Sequence, residues 1–271
     1  MKKYSFAYPL AVLLCAAPVL VAQAKPPAAS ITSNAPKGAH AKSKAEQDAL
    51  NALNKMIKDP STPSDQVDAA LTAFVTNYPT SDFLAAVSTY GLEYYQAQKP
   101  PNYDKSLVYG EQAIKYDPTD VYALTTIGDM IPNKVTDTDL DKDQRLKEAT
   151  DDDMQALKVA DTQGGTLNGQ PFTDAAKNEV RSIAYSSLAR IANINKDYPN
   201  VVANYAKAIP VDDPAHQAVD YFYTAMAQIN MKQYPEALAS LDSAAKAAPN
   251  DPNVQAAVAS NRKRIAQLQG H

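Results

Sequence analysis

The sequence has no tryptophan, one cysteine, three histidines and eight glycines in 271 residues. One thiol rules out an intrachain disulfide framework and the cysteine-rich metal sites that need several thiolates. The histidines, His40, His216 and His271, are far apart, and none has a second ligand or base at motif spacing. Each therefore reads as a surface histidine. Glycine-rich phosphate loops and nucleophile elbows are missing as well, which puts a helical enzyme last among the function classes. Scarce glycine with abundant alanine favours helices over sheets.

No run of about 20 apolar residues occurs, so a spanning helix is not expected in the mature chain. The first 24 residues instead read as a secretory signal peptide. Lys2 and Lys3 precede an apolar stretch over residues 10–21, and Ala22-Gln23-Ala24 supplies a small-x-small cleavage site before Lys25. Cys15 lies within the apolar stretch behind the bulky Leu14, which disfavours a lipid-modified cysteine. Cleavage removes the cysteine together with Lys2 and Lys3. With 26 basic and 30 acidic residues in the whole chain, that moves the formal charge from −4 to −6. An acidic surface lacks the basic footprint that nucleic acid or anionic membrane requires. Export to the periplasm or the external medium is the expected location.

Residues 25–42 are rich in Pro, Ala and Ser with almost no large apolar side chains, the composition of a flexible linker. From residue 43 to 271, apolar residues recur at helical spacing, and Pro or Asn/Asp clusters interrupt them at short intervals. A 36-residue shift superimposes Tyr185 on Tyr221, Ala189 on Ala225, Lys196 on Lys232, Tyr198-Pro199 on Tyr234-Pro235, Ala203 on Ala239 and Ala208 on Ala244. Such self-similarity marks a duplicated helical hairpin. The bulky Tyr anchors the first helix, and the small residue a turn later lets the second approach. The Tyr-Pro pair opens the second helix, where proline's missing N–H costs nothing. Pro249, or Pro214 one unit earlier, is expected to end the hairpin.

These residues resemble the tetratricopeptide repeat family. Residues 221–251 are similar to one whole repeat. In residues 102–120, Tyr103, Ala113 and Pro118 take the aromatic, small and terminating roles, after a first helix bearing Tyr90, Gly91 and Tyr94. Residues 67–81 resemble the second half of a repeat that ends at Pro79. The middle unit departs from the pattern. Gly128 takes its small-residue role, but a polar loop over residues 132–141 precedes a helix starting near Lys142, and Gly164-Gly165 and Asn168-Gly169 form a second loop. The resemblance implies an all-α, right-handed superhelix of about five hairpins. A helix over residues 252–269 would cap it, with Val254, Val258, Ile265 and Leu268 on one face.

Asp137, Asp139, Asp141, Asp143 and Glu148 are spaced like a calcium loop. Lys142 stands where the turn glycine belongs and Gln144 where an apolar residue belongs, which favours a solvated loop whose Asp139 or Asp141 caps the next helix. No metal or other cofactor is expected. Most of the 16 tyrosines fall at packing positions. In the repeat family, first helices line a concave peptide-binding groove, and the resemblance carries this role to Tyr95, Tyr122, Asp129, Arg190, Asn193, Phe222, Met226 and Asn230. Arg190 and Met226 stand where a carboxylate-clamping asparagine would be needed, which argues against a chaperone-tail clamp. The expected function is therefore a scaffold or adaptor holding a protein or peptide partner. The competing reading is a structural subunit that forms a homo-oligomer or packs in an envelope assembly.

Overall fold

The computed structural model describes residues 31, 35–36, 38–59, 61–162, 166–167 and 170–270. The signal-peptide segment, Cys15, His271 and the glycines at 164, 165 and 169 lie outside these residues. Among the described residues, helices pair in sequence order: α1 (Lys44–Lys58) with α2 (Ser64–Asn77), α3 (Leu84–Gln96) with α4 (Tyr103–Tyr116), and α5 (Val121–Met130) with α6 (Lys142–Thr162). The array continues with α7 (Asp174–Ile194) on α8 (Tyr198–Ala208) and α9 (Pro214–Asn230) on α10 (Tyr234–Ala247), and α11 (Pro252–Leu268) closes it. The described residues thus form an all-α solenoid of five hairpins and a closing helix. Between α6 and α7, Thr166–Leu167 and Gln170–Pro171 pair as a short antiparallel ladder in place of the plain loop expected there.

The helix starts are dictated locally. Ser43, Asn102, Asp120, Thr173, Asp197, Asp213 and Asp251 each accept a backbone N–H of the following first turn, satisfying donors that have no partner inside the helix. Pro199, Pro214, Pro235 and Pro252 all sit in first turns. Pro214 therefore opens α9 instead of ending the hairpin before it. That ending falls to the 3-10 turn Ile209–Val211.

The duplicated unit is repeated in backbone as well as in sequence. Among the described residues, Lys196 and Lys232, 36 residues apart, are the non-glycine residues with positive φ, 58° and 61°. At the first, the N–H groups of Asn195, Lys196 and Asp197 donate to the carbonyls of Ile191, Asn193 and Ala192. At the second, Met231, Lys232 and Gln233 donate to Ala227, Ile229 and Gln228, the same three bonds displaced by one unit. Burial repeats too. Ala189 and Ala225, Val201 and Ala237, and Ala208 and Ala244 are each sealed from solvent, while Tyr185 and Tyr221 are both half-buried. Ala225→Leu should overfill the α9–α10 contact and cost about 1–3 kcal/mol, read as a lower midpoint in urea.

Glycine sets the spacing earlier in the array. A Cβ on Gly91 of α3 would lie 2.5 Å from Cγ of Tyr109 on α4. One on Gly110 would meet Ile127 Cδ1 of α5 at 2.3 Å, and one on Gly128 would meet Asp153 Oδ1 of α6 at 2.3 Å. Each of α3, α4 and α5 thus offers a bare patch to a side chain of its successor. The largest apolar cluster runs from α1 through α5 and takes in Leu146 and Ala149 of α6 and Ile191 of α7. Beyond it the apolar contacts divide into smaller groups, among them one around Ala189, Val201 and Tyr205 and another joining α9, α10 and α11.

Two expectations about the ends are modified. Ile31, within the stretch expected to be a linker, is fully buried, and its N–H donates to Asn54 Oδ1 at 2.8 Å. Val258 and Ile265 of α11 are buried as expected, but Leu268 is 50 % exposed because the helix ends one turn beyond Ile265, past the stretch that α10 covers.

Candidate binding face on the first helices

The structure separates the eight groove candidates into three groups. Tyr95 belongs to the core and not to a groove. It is 3 % exposed, its ring stacks on Tyr109 at 5.6 Å, and its hydroxyl donates to the carbonyl of Ser64 at 3.2 Å. Burial pushes its phenol well above the usual range. Its position follows from Asp68 of α2, which accepts from the Tyr109 hydroxyl at 2.7 Å and from the Lys105 ammonium at 2.7 Å.

Tyr122, Asp129 and Arg190 are half-buried and tie helices together. The Tyr122 hydroxyl is 3.2 Å from Gln96 Oε1, linking α5 to the end of α3. The Arg190 guanidinium of α7 pairs with the Asp129 carboxylate of α5, with about 30 % of each side chain exposed. Ser187, one turn before, donates to the Gly128 carbonyl at 2.9 Å. This face of α7 is therefore committed to α5.

Asn193, Phe222, Met226 and Asn230 form the accessible group. Both asparagines are exposed, each near the end of its helix, and Phe222 and Met226 are partly exposed one turn apart on α9. Val219 and Tyr223 complete a stripe with them, since positions 219, 222, 223 and 226 lie on one helical face. Tyr223 is 42 % exposed, its ring stacks on the buried Tyr205 of α8 at 6.3 Å, and it meets Phe222 edge-on at 5.8 Å. The expectations from sequence omit Val219 and Tyr223. The signal that could have found them is the apolar recurrence at i, i+3, i+4 and i+7 through Phe222 and Met226.

Polar groups lie beneath the stripe. Asp220 of α9 is 4 % exposed and accepts from the Ser186 hydroxyl at 3.2 Å, with the Asp212 carboxyl close by. Burial first, and then Asp212, push its carboxyl up to about 9. Asp212 also accepts from the Ser182 hydroxyl.

The acidic loop is held by its own residues. The Lys142 ammonium pairs with Asp137 at 2.6 Å, and Asp139 accepts from both the N–H and the hydroxyl of Thr136 at 2.7 and 2.9 Å. These bonds hold Asp137 and Asp139 below the usual carboxylate range. Asp139 thus closes a turn with Thr136 and does not cap α6. Asp141 takes the start of that helix, its carbonyl accepting the Arg145 N–H at 2.9 Å. Among the described residues no group of three or more His, Cys, Asp or Glu is arranged to hold a metal ion, and no helix is long and apolar enough to cross a membrane.

No protein-family model matches the chain, and no curated protein does. Among solved structures, the chain is similar to a thermophilic TPR protein from Thermus thermophilus, at 15 % identity, covering 79 % of this chain and 97 % of that one with a TM-score of 0.45.

Proposed function

We propose that this helical-repeat scaffold is exported and holds an apolar protein segment against the α9 stripe in the cell envelope or outside the cell. The observation that carries the reading is the partly exposed row of Val219, Phe222, Tyr223 and Met226. Aromatic and methionine side chains are enriched at protein interfaces, aromatic ones above all where binding energy concentrates, and here they stand on a helix fixed from behind by α10. Export rests on the leader-like composition of residues 1–24. Asn193 and Asn230 lie near the ends of the same first helices, where their amides are free to bond a bound backbone.

Screening the purified mature chain against an immobilised peptide library tests this. Phe222→Ala with Met226→Ala should weaken capture of the selected peptides about tenfold or more at a temperature where the variant keeps its helicity, since both side chains also pack against the α9–α10–α11 cluster. Unchanged capture by the double variant would remove the assignment. Arg190 is unsuitable for the same test, because its pairing with Asp129 joins α5 to α7.

A further inference from the structure

We propose that Asp212 and Asp220 form a proton-dependent latch that locks α9 onto α7 and α8 while the Asp220 carboxyl is protonated, and releases it when that proton is lost. The inference goes beyond the binding reading and holds whether or not the stripe takes a partner.

Three elements meet at the latch. Asp212 follows the 3-10 turn after α8, and Asp220 lies two turns into α9. Ser182 and Ser186, one helical turn apart on α7, direct their hydroxyls at Asp212 and Asp220 respectively. The two carboxyls lie beside one another, and two carboxylates cannot hydrogen-bond without a proton between them. Asp212 Oδ2 is buried and receives no N–H or hydroxyl, so a protonated Asp220 is the donor that completes the pair.

The surrounding charges do not substitute for that proton. Arg190 on α7 is the nearby cation acting on Asp220; its terminal nitrogen pairs with Asp129 of α5, and its buried Nε–H has no hydrogen-bond partner at either aspartate. From α8 the group is faced by the phenol of Tyr205, which is itself stacked on Tyr223 of α9. Asp213 and His216 beside the turn pair with each other at 2.6 Å. Deprotonation therefore puts a second negative charge into a site 4 % exposed with one counter-ion, which Asp129 shares.

The sign follows from linkage. A carboxyl that keeps its proton in the folded state up to about 9, against an ordinary 3.8, gives stability that falls as pH rises across that interval. The test is a pH titration of the full chain with 13C-labelled aspartate, read by carboxyl NMR shifts, with melting curves for the parent and Asp220→Asn. One carboxyl should titrate in the alkaline range and vanish from the spectra of Asp220→Asn. The amide of that variant donates to Asp212 at every pH, so its melting temperature should exceed the parent's by ~5 °C or more at pH 9 and match it near pH 5. An Asp220 midpoint in the ordinary carboxyl range near 4 overturns the latch. A parent and variant with identical pH dependence overturn it equally. If Asp220→Asn fails to fold, the titration of the parent decides alone.

Discussion

Gly91→Val should destabilise the fold by about 3 kcal/mol or more, seen as a large drop in the urea midpoint with an unchanged slope. The added Cβ would lie 2.5 and 2.6 Å from Cγ and Cδ1 of Tyr109. The ring has no room to retreat, because Tyr109 is 3 % exposed, stacked on Tyr95 and anchored through its hydroxyl to Asp68. Moving it disturbs three helices at once. Gly110→Ala should also destabilise, by about 1–3 kcal/mol, because its Cβ would lie 2.3 and 2.6 Å from Cδ1 and Cγ1 of the buried Ile127. A Gly91→Val midpoint equal to the parent's would mean that the Tyr109 anchor does not hold the ring.

The second large effect depends on pH. Asp153 of α6 is fully buried, and the Ser187 hydroxyl beside its carboxyl is given to the Gly128 carbonyl. Burial raises its pKa well above the ordinary value. It therefore folds in its neutral form. The unfolded chain releases the proton near the ordinary value of 3.8 while the folded chain retains it, so the contribution of this group to stability declines as pH rises above that value. Asp153→Asn keeps the shape without the titration. At pH 8 the variant should be more stable than the parent by about 1–3 kcal/mol, and near pH 4 the two should converge. Denaturation midpoints at both values check this, and a constant difference between them would contradict a buried neutral acid.

The scaffold can be read from the sequence because its determinants are local or periodic. The Ser, Asn, Thr and Asp caps and the first-turn prolines act within four residues. The 36-residue shift, visible in Ala189/Ala225 and Lys196/Lys232, reports equivalent packing directly. Even the expanded middle unit is legible, with α6 starting at Lys142. Pro214 misleads because proline suits the position after one helix as well as the first turn of the next. The candidate site is harder to read. Whether a first-helix side chain is free depends on its neighbour in the array. Tyr95 is claimed by Tyr109, Arg190 by Asp129, and Tyr223 is left open on the side away from Tyr205. The Asp212–Asp220 contact joins a turn to a helix and leaves no spacing signature.

The apolar interior of the array is divided unequally. The continuous cluster from α1 to α5 couples any opening in that half to most of its helices, which favours all-or-none melting there. The later hairpins hold separate apolar groups, one around Ala189, Val201 and Tyr205 and one joining α9, α10 and α11, so an opening in one group need not spread to the other. The open aromatic row therefore stands on a part of the array whose apolar groups are local to one or two hairpins.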